Sequence, residues 1–242
     1  MIGVGLDLGA AGDFTALAAV ERVRAEASPL ARHPWRYAVR GLERYELGTT
    51  YPEIVTRVKD RLAAPPLAGC RLVVDYTGVG RPVVDMLRAA RIAASVVPVL
   101  ITSGTRATYH DDDRSWRVPK ADLVNTLQVL LQASLIRWSP GLALAETLAK
   151  ELTEYQTRIT AAGNEQFGAW REGQHDDLVL AVALACWALE RQARTTDPHP
   201  YGESVPAAAD AAPPGVFRDL APEGVFRGAA SPQAAPDGVF RH

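Results

Sequence analysis

Four carboxylates stand where a fold has little structural use for them. Asp7 sits in the alternating segment GVGLDL of Gly3 to Leu8, Asp75 closes the apolar run RLVVD, and Asp176 with Asp177 opens the apolar stretch DLVLAVALACWALE. Each alone has an ordinary reading, because a strand-end Asp accepts bonds from neighbouring amides and an Asp at a helix start is a cap worth about 1 kcal/mol. Together they exceed those needs. Asp7 replaces a core-type residue on a glycine-cleared face, and a helix start uses one capping acid where this one has two. Carboxylates brought close repel and raise one another's pKa unless a cation neutralises them. A hard, all-oxygen donor set without a His-Cys set favours Mg²⁺ or Mn²⁺ over zinc.

The elements that must position these acids follow from periodicity. Strict alternation predicts a strand over Gly3 to Leu8, with Val4, Leu6 and Leu8 on one face and Gly3, Gly5 and Asp7 on the other. Phe14 to Val23 and Trp35 to Tyr45 read as further strands, so the chain opens with an antiparallel meander. Tyr51 to Leu62 has helical spacing with Thr50 as its cap, and Arg71 to Asp75 reads as a strand buried on both faces. Helices are predicted over Gly78 to Arg91, Lys120 to Ala133, Gly141 to Leu152 and Asp177 to Gln192. Ser95 to Ile101 reads as a buried strand, Leu135 to Trp138 as a brief one, and the Gly163-Asn164 turn within Thr153 to Trp170 as a hairpin. The expected class is α/β, a mixed sheet of three antiparallel strands plus parallel strands, flanked by helices.

Composition bounds the rest. The 242 residues carry 26 Lys+Arg against 28 Asp+Glu, a net charge of −2 that excludes a generally basic nucleic-acid coat but not a local basic groove. Cys70 and Cys186 form no CxxC pair and read as buried thiols of a reducing compartment. No run of about 18 apolar residues and no signal-peptide pattern is present, so a soluble, cytoplasmic protein without membrane contact is expected. The composition changes near Arg194. Residues 1–194 read as one folded domain and residues 195–242 as a flexible tail, rich in Pro and Ala and holding eight of the chain's 17 prolines. Three GVFR repeats, at Gly215 to Arg218, Gly224 to Arg227 and Gly238 to Arg241, suit a repeated short docking peptide.

Four blocks carry a resemblance: GLDLGAAGDFTAL at Gly5 to Leu17, VVDYTGVGRPVVDML at Val73 to Leu87, VPKADLV at Val118 to Val124, and FGAWREGQHDDLVLAVALACWA at Phe167 to Ala188. In this order and spacing the chain is similar to the nuclease domain of tailed-phage large terminase subunits, of the ribonuclease H-like superfamily. The resemblance implies cleavage of double-stranded DNA with Mg²⁺ or Mn²⁺, as two ions. It makes Asp7, Asp75, Asp176 and Asp177 both the metal ligands and the catalytic acids, with Asp7 bridging the ions and Asp176 or Asp177 serving the second one. Two such cations would hold the scissile phosphate and lower the pKa of an attacking water. His175 is a candidate for orienting that water.

Phosphate contacts are expected from Arg81, Arg106, Arg114, Arg117 and Lys120, with Lys120 in the VPK block and Arg158 and Arg171 on the hairpin arms. Asp111, Asp112 and Asp113 read as solvated loop acids and are left out of the site. The chain has no GxxxxGK[ST] phosphate loop, so it reads either as an excised domain or as a separate nuclease served by a motor in trans, and the partners expected are a packaging ATPase, a portal or a small terminase subunit, reached through the GVFR tail. Two other readings share the pattern: a non-catalytic packaging adaptor of the same fold, and a resolvase-like nuclease.

Overall fold

The structure is a computed structural model that describes residues 1–9, 12–25, 34–78, 80–154, 156–159, 165–168 and 176–196. The opening meander is β1 (Ile2–Asp7), β2 (Thr15–Arg24) and β3 (Trp35–Tyr45), paired antiparallel in sequence. Its register sets Asp7 beside Ala16 and Ala16 beside Arg44, one row across three strands. The chain continues through α1 (Tyr51–Ala63), β4 (Arg71–Asp75), α2 (Gly80–Ala89) and β5 (Ser95–Thr102). Thr50 is the N-cap of α1 by position, yet its hydroxyl makes no capping bond. A proline in the first turn of that helix removes an amide that would have lacked a partner there.

Then come β6 (Thr108–His110), β7 (Ser115–Pro119), α3 (Lys120–Gln132), β8 (Ile136–Trp138), α4 (Ala145–Glu154), β9 (Gln156–Ile159), β10 (Glu165–Gly168) and α5 (Asp177–Thr196). An eight-stranded sheet has the order β6-β7-β5-β4-β1-β2-β3-β8. Strands β4, β5 and β7 extend it parallel to β1, β8 joins parallel to β3, and β6 pairs antiparallel with β7. The expected mixed sheet is therefore observed. β9 and β10 form a separate antiparallel ribbon, as the hairpin reading requires. The hairpin β6-β7 was not expected; its turn is built from the acidic run, and the short SWRVP strand passes directly into α3 at Lys120.

Alternation sorts the side chains into two cores. Val4, Leu6, Leu72 and Val74 meet Ile54, Val58 and Leu62 of α1 and Val83 and Leu87 of α2. Ala16, Ala18, Val73, Val99 and Val118 meet α3, α4 and α5 on the other face. That division is why RLVVD is apolar without alternation: β4 is covered on both faces. Among the described residues no helix is long and apolar enough to cross a membrane. α5 runs two residues past the expected domain boundary, and residues 197–242, with all three GVFR repeats, lie outside the described residues.

The glycines of β1 determine where α5 lies. A Cβ at Gly5 would fall 1.9 Å from the Ala181 carbonyl oxygen, and one at Gly3 would stand 3.2 Å from the Ala185 carbonyl oxygen. Without side chains on that face, the helix backbone rests on the strand backbone. Its N-terminal end consequently arrives where β1 ends, at Asp7.

Candidate functional site

β1, β4, β5 and β7 run in one direction, so their carboxyl ends share an edge of the sheet. Asp7 and Asp75 are the last residues of the adjacent strands β1 and β4, and Lys120 opens α3 directly after β7. Asp176 and Asp177 reach the same edge at the start of α5. The charges of Asp75, Asp176 and Asp177 therefore all act on Asp7. Asp7 is buried and its pKa is pushed well above the carboxylate range, first by loss of water and then by the charges of Asp75, Asp176 and Asp177, with Lys120 opposing. Burial also raises Asp75, against bonds from the Thr77 amide at 2.8 Å and hydroxyl at 2.6 Å and the charge of Lys120. Thr77 is itself fixed, its hydroxyl oxygen accepting the Ile101 amide at 3.0 Å.

The two neighbouring acids have different surroundings. Asp176 is half-buried, with the Lys120 ammonium 3.4 Å from its carboxylate. Asp177 is buried and accepts a bond from Arg44 Nε at 2.8 Å. Arg44 also donates through Nη2 to Glu151, and its guanidinium lies 4.8 Å from the centre of the Phe14 ring. The other Glu151 oxygen accepts the amides of Leu178 at 3.1 Å and Val179 at 3.3 Å. Glu151, from α4, is thus what caps α5, a role that the sequence suggests for Asp176 or Asp177. Burial and the nearby charge of Asp177 outweigh Arg44 and hold the Glu151 pKa up at about 7.

Arg44 and Glu151 escaped the sequence reading, though each leaves a trace. Arg44 occupies the inward face of an alternating strand, and Glu151 follows Leu148 at helical spacing on the buried side of α4. Either position would ordinarily hold an apolar residue.

The predicted phosphate-binding residues are not all gathered at this edge. Lys120 is. Arg117 alternates with Trp116 and Val118 and emerges on the α1-α2 face, where its Nη2 donates to Asp113 at 2.9 Å. Arg81 approaches the same carboxylate at 3.5 Å, and Tyr76 donates to it at 3.2 Å. Asp113 is accordingly not a freely solvated loop acid: bonds from Arg117 and Ser115 hold it well below the usual carboxylate range. A cleft of about 720 Å³ opens beside this hub, lined by Arg71, Arg81, Arg88 and Arg114, rather than beside Asp7. Arg106 and Arg114 are exposed, Arg106 between β5 and β6 and Arg114 in the β6-β7 turn at φ 50°. The side chain of Arg158, and Arg171 and His175 entirely, lie outside the described residues.

Among the described residues, no three His, Cys, Asp or Glu side chains stand close enough to hold a metal ion as placed. The donor chemistry nevertheless suits a hard divalent cation. Asp7, Asp75 and Asp176 offer only oxygen, and the repulsion of Asp75 and Asp176 on Asp7 is opposed by the positive charge of Lys120.

No protein-family model matches the chain, and no curated protein matches it significantly. Among solved structures it is similar to the large terminase nuclease from thermophilic phage G20c, with 22% identity, a TM-score of 0.55, and coverage of 76% of this chain and 80% of that one. It also matches the g2p (large terminase) nuclease domain from bacteriophage SPP1 with bound Mn, at 14% identity and a TM-score of 0.46 over 79% of this chain and 86% of that one. The HK97 bacteriophage large terminase matches at 13% identity and a TM-score of 0.46, over 77% of this chain and 39% of that one. The first likeness shows the fold: this chain has the ribonuclease H-like architecture of a phage large terminase nuclease.

Proposed function

We propose that the chain is a metal-dependent endonuclease that cleaves double-stranded DNA during viral genome packaging. The observation that carries the reading is the burial of Asp7 among Asp75, Asp176 and Asp177, an arrangement that costs the apo fold stability and that a bound hard cation would relieve. Asp7, Asp75 and the Asp176-Asp177 pair would hold Mg²⁺ or Mn²⁺, in the two-ion form expected from the resemblance. When bound, such ions polarise a scissile phosphate and lower the pKa of a water.

The chain's own residues do the positioning. Thr77 binds one carboxylate oxygen of Asp75 through both its amide and its hydroxyl, fixing how that carboxylate faces the cluster. Lys120 brings positive charge to an edge that would otherwise repel phosphate, and it is the proposed duplex contact nearest the acids. Arg106, Arg114 and Arg158 are proposed as further phosphate contacts. Arg81 and Arg117, committed to Asp113 on the opposite face, are proposed only for DNA that wraps the β6-β7 edge. Packaging needs an ATPase motor, and the GVFR repeats are the proposed docking peptides for that motor, a portal or a small terminase subunit.

The test is plasmid cleavage at low salt with Mn²⁺, Mg²⁺ or EDTA, comparing the full chain with its Asp75→Ala variant. Cutting that needs the metal and disappears in the variant is expected. A folded wild-type protein that leaves plasmid uncut with either metal, while it and the variant bind DNA equally, would establish the packaging adaptor instead.

A further inference from the structure

We infer that Arg44 is the positioning residue of the acidic cluster, and that by binding Asp177 and Glu151 together it leaves Asp176 as the helix acid that serves the cation. The inference rests on the nuclease reading and divides the labour within it. Neighbouring acids at a helix start cannot point the same way, because successive residues are turned by about 100° around the axis. Here the turn sends Asp177 inward, towards Arg44 at 2.8 Å, and Asp176 towards Lys120 at 3.4 Å.

Arg44 suits this task through its shape as well as its charge. A guanidinium presents several N–H groups in one rigid plane and can bind two carboxylates at once, which a lysine ammonium on a flexible stem does less well. Its Nε holds Asp177 while its Nη2 holds Glu151, and the Phe14 ring lies against it. Glu151 in turn binds the first free amides of α5. One side chain on β3 therefore ties the end of α4 to the first turn of α5. The row Asp7, Ala16, Arg44 fixes its lateral distance from Asp7 through the sheet itself. At 17% side-chain exposure Arg44 is poorly placed to meet a duplex, so its effect on catalysis should pass through the acids.

The test measures Mn²⁺ binding by calorimetry on the full chain, alongside the Tm in EDTA and the KM and kcat for plasmid, for the wild type, Arg44→Met, Arg44→Lys, Asp176→Asn and Asp177→Asn. Loss of a residue that orients a metal ligand typically weakens metal affinity about 10- to 100-fold. That loss is expected for Arg44→Met, with kcat falling, KM unchanged and partial recovery in Arg44→Lys. Asp176→Asn should weaken Mn²⁺ binding more than Asp177→Asn does. If Arg44→Met fails to fold, Arg44→Lys and the two Asn variants decide.

A purely structural role would lower Tm and leave Mn²⁺ affinity at the wild-type value; that result overturns the inference, as does an Asp177→Asn loss equal to or larger than that of Asp176→Asn. Wild-type protein that binds and cuts while Arg44→Lys behaves identically refutes the role of Arg44 alone. Wild-type protein that neither binds Mn²⁺ nor cuts refutes the nuclease reading, and this inference with it.

Discussion

Gly5→Ala tests the contact on which the whole arrangement depends. The added methyl would lie 1.9 Å from the Ala181 carbonyl oxygen, 2.9 Å from its carbon and 3.0 Å from the Ala185 amide nitrogen. Non-bonded carbon contacts settle near 3.5–4.0 Å, so β1 and α5 must separate by roughly 1.5 Å or more. Overpacking of this kind costs typically about 1–3 kcal/mol, and the obstacle here is helix backbone, which cannot swing aside, so about 3 kcal/mol is the working figure. Replacing glycine also removes freedom from the unfolded chain, which returns about 0.4–1 kcal/mol. The net loss is about 2 kcal/mol, a Tm drop of about 4–8 °C for a domain of this size.

Gly41→Ala is the matched control. Its methyl would meet Arg61 Nη2 at 3.5 Å and the Ala19 Cβ at 3.7 Å, both ordinary contacts, so the change should be neutral or slightly stabilising. Urea unfolding of the three proteins in EDTA reads the difference. Gly5→Ala within about 0.5 kcal/mol of the wild type, below the overpacking range, would refute the backbone-on-backbone packing and with it the reason Asp176 arrives at Asp7.

Two further expectations concern charge. Asp7, Asp75 and Glu151 all have folded-state pKa values raised above their unfolded ones, so the folded protein binds extra protons and stability falls as pH rises, Glu151 contributing between about pH 4.5 and 7. The depressed Asp113 acts only at more acid pH, so the urea midpoint in EDTA should be lower at pH 8 than at pH 5; an unchanged or higher midpoint would contradict the cluster, and added Mg²⁺ should restore part of the loss. Lys120→Gln removes a charge that favours the ionised forms of Asp7 and Asp75, so its midpoint at pH 8 should fall further below that at pH 5 than in the wild type, and a variant more stable than the wild type at pH 8 would remove Lys120 from the cluster's charge balance.

Elements with strong periodicity were legible in the sequence. Trp35–Tyr45 and Arg71–Asp75 stand where alternation and apolar run length put them, and the glycine-cleared face of β1 does receive a helix. The β6-β7 hairpin was not legible, because three-residue and five-residue strands around an acidic turn carry too few inward positions to display a period. The four acids could be named from residue type and location, but not their division. Which of Asp176 and Asp177 turns inward depends on Arg44 and Glu151, 133 and 27 residues from their bonding partners in the chain, and contacts of that range leave no local pattern. The placement of Arg117 failed to show for a related reason. A one-residue step along β7 decides between the face of Asp7 and the face of Asp113, and register is a property of the pairing with β5.

The position of α5 explains how the fold tolerates four acids at one edge. Every residue from Asp177 to Leu189 is buried, and the apolar ones cover the helix on all sides rather than along one stripe. Each large apolar side chain so enclosed, such as Leu178, Leu184 and Leu189, contributes about 1.5–3 kcal/mol, enough over a few residues to offset a repulsion of several kcal/mol at the helix start. A helix with one wet face would keep its N-terminus in solvent, where acids are cheap to ionise and poorly held. Enclosure makes Asp7 costly to ionise and keeps Asp177 in place, and Arg44 and Lys120 supply the compensating charge from β3 and α3. The edge at which these groups meet is the carboxyl end of β1, β3, β4 and β7, all running the same way, which is where open α/β sheets place their ligands. A site assembled there draws one group from each strand or its following helix, so a displacement of α5 alone removes the late acids and leaves Asp7 and Asp75 in register. The Gly5→Ala and Arg44→Met variants separate these cases: the first moves the helix as a body, the second releases only its first turn.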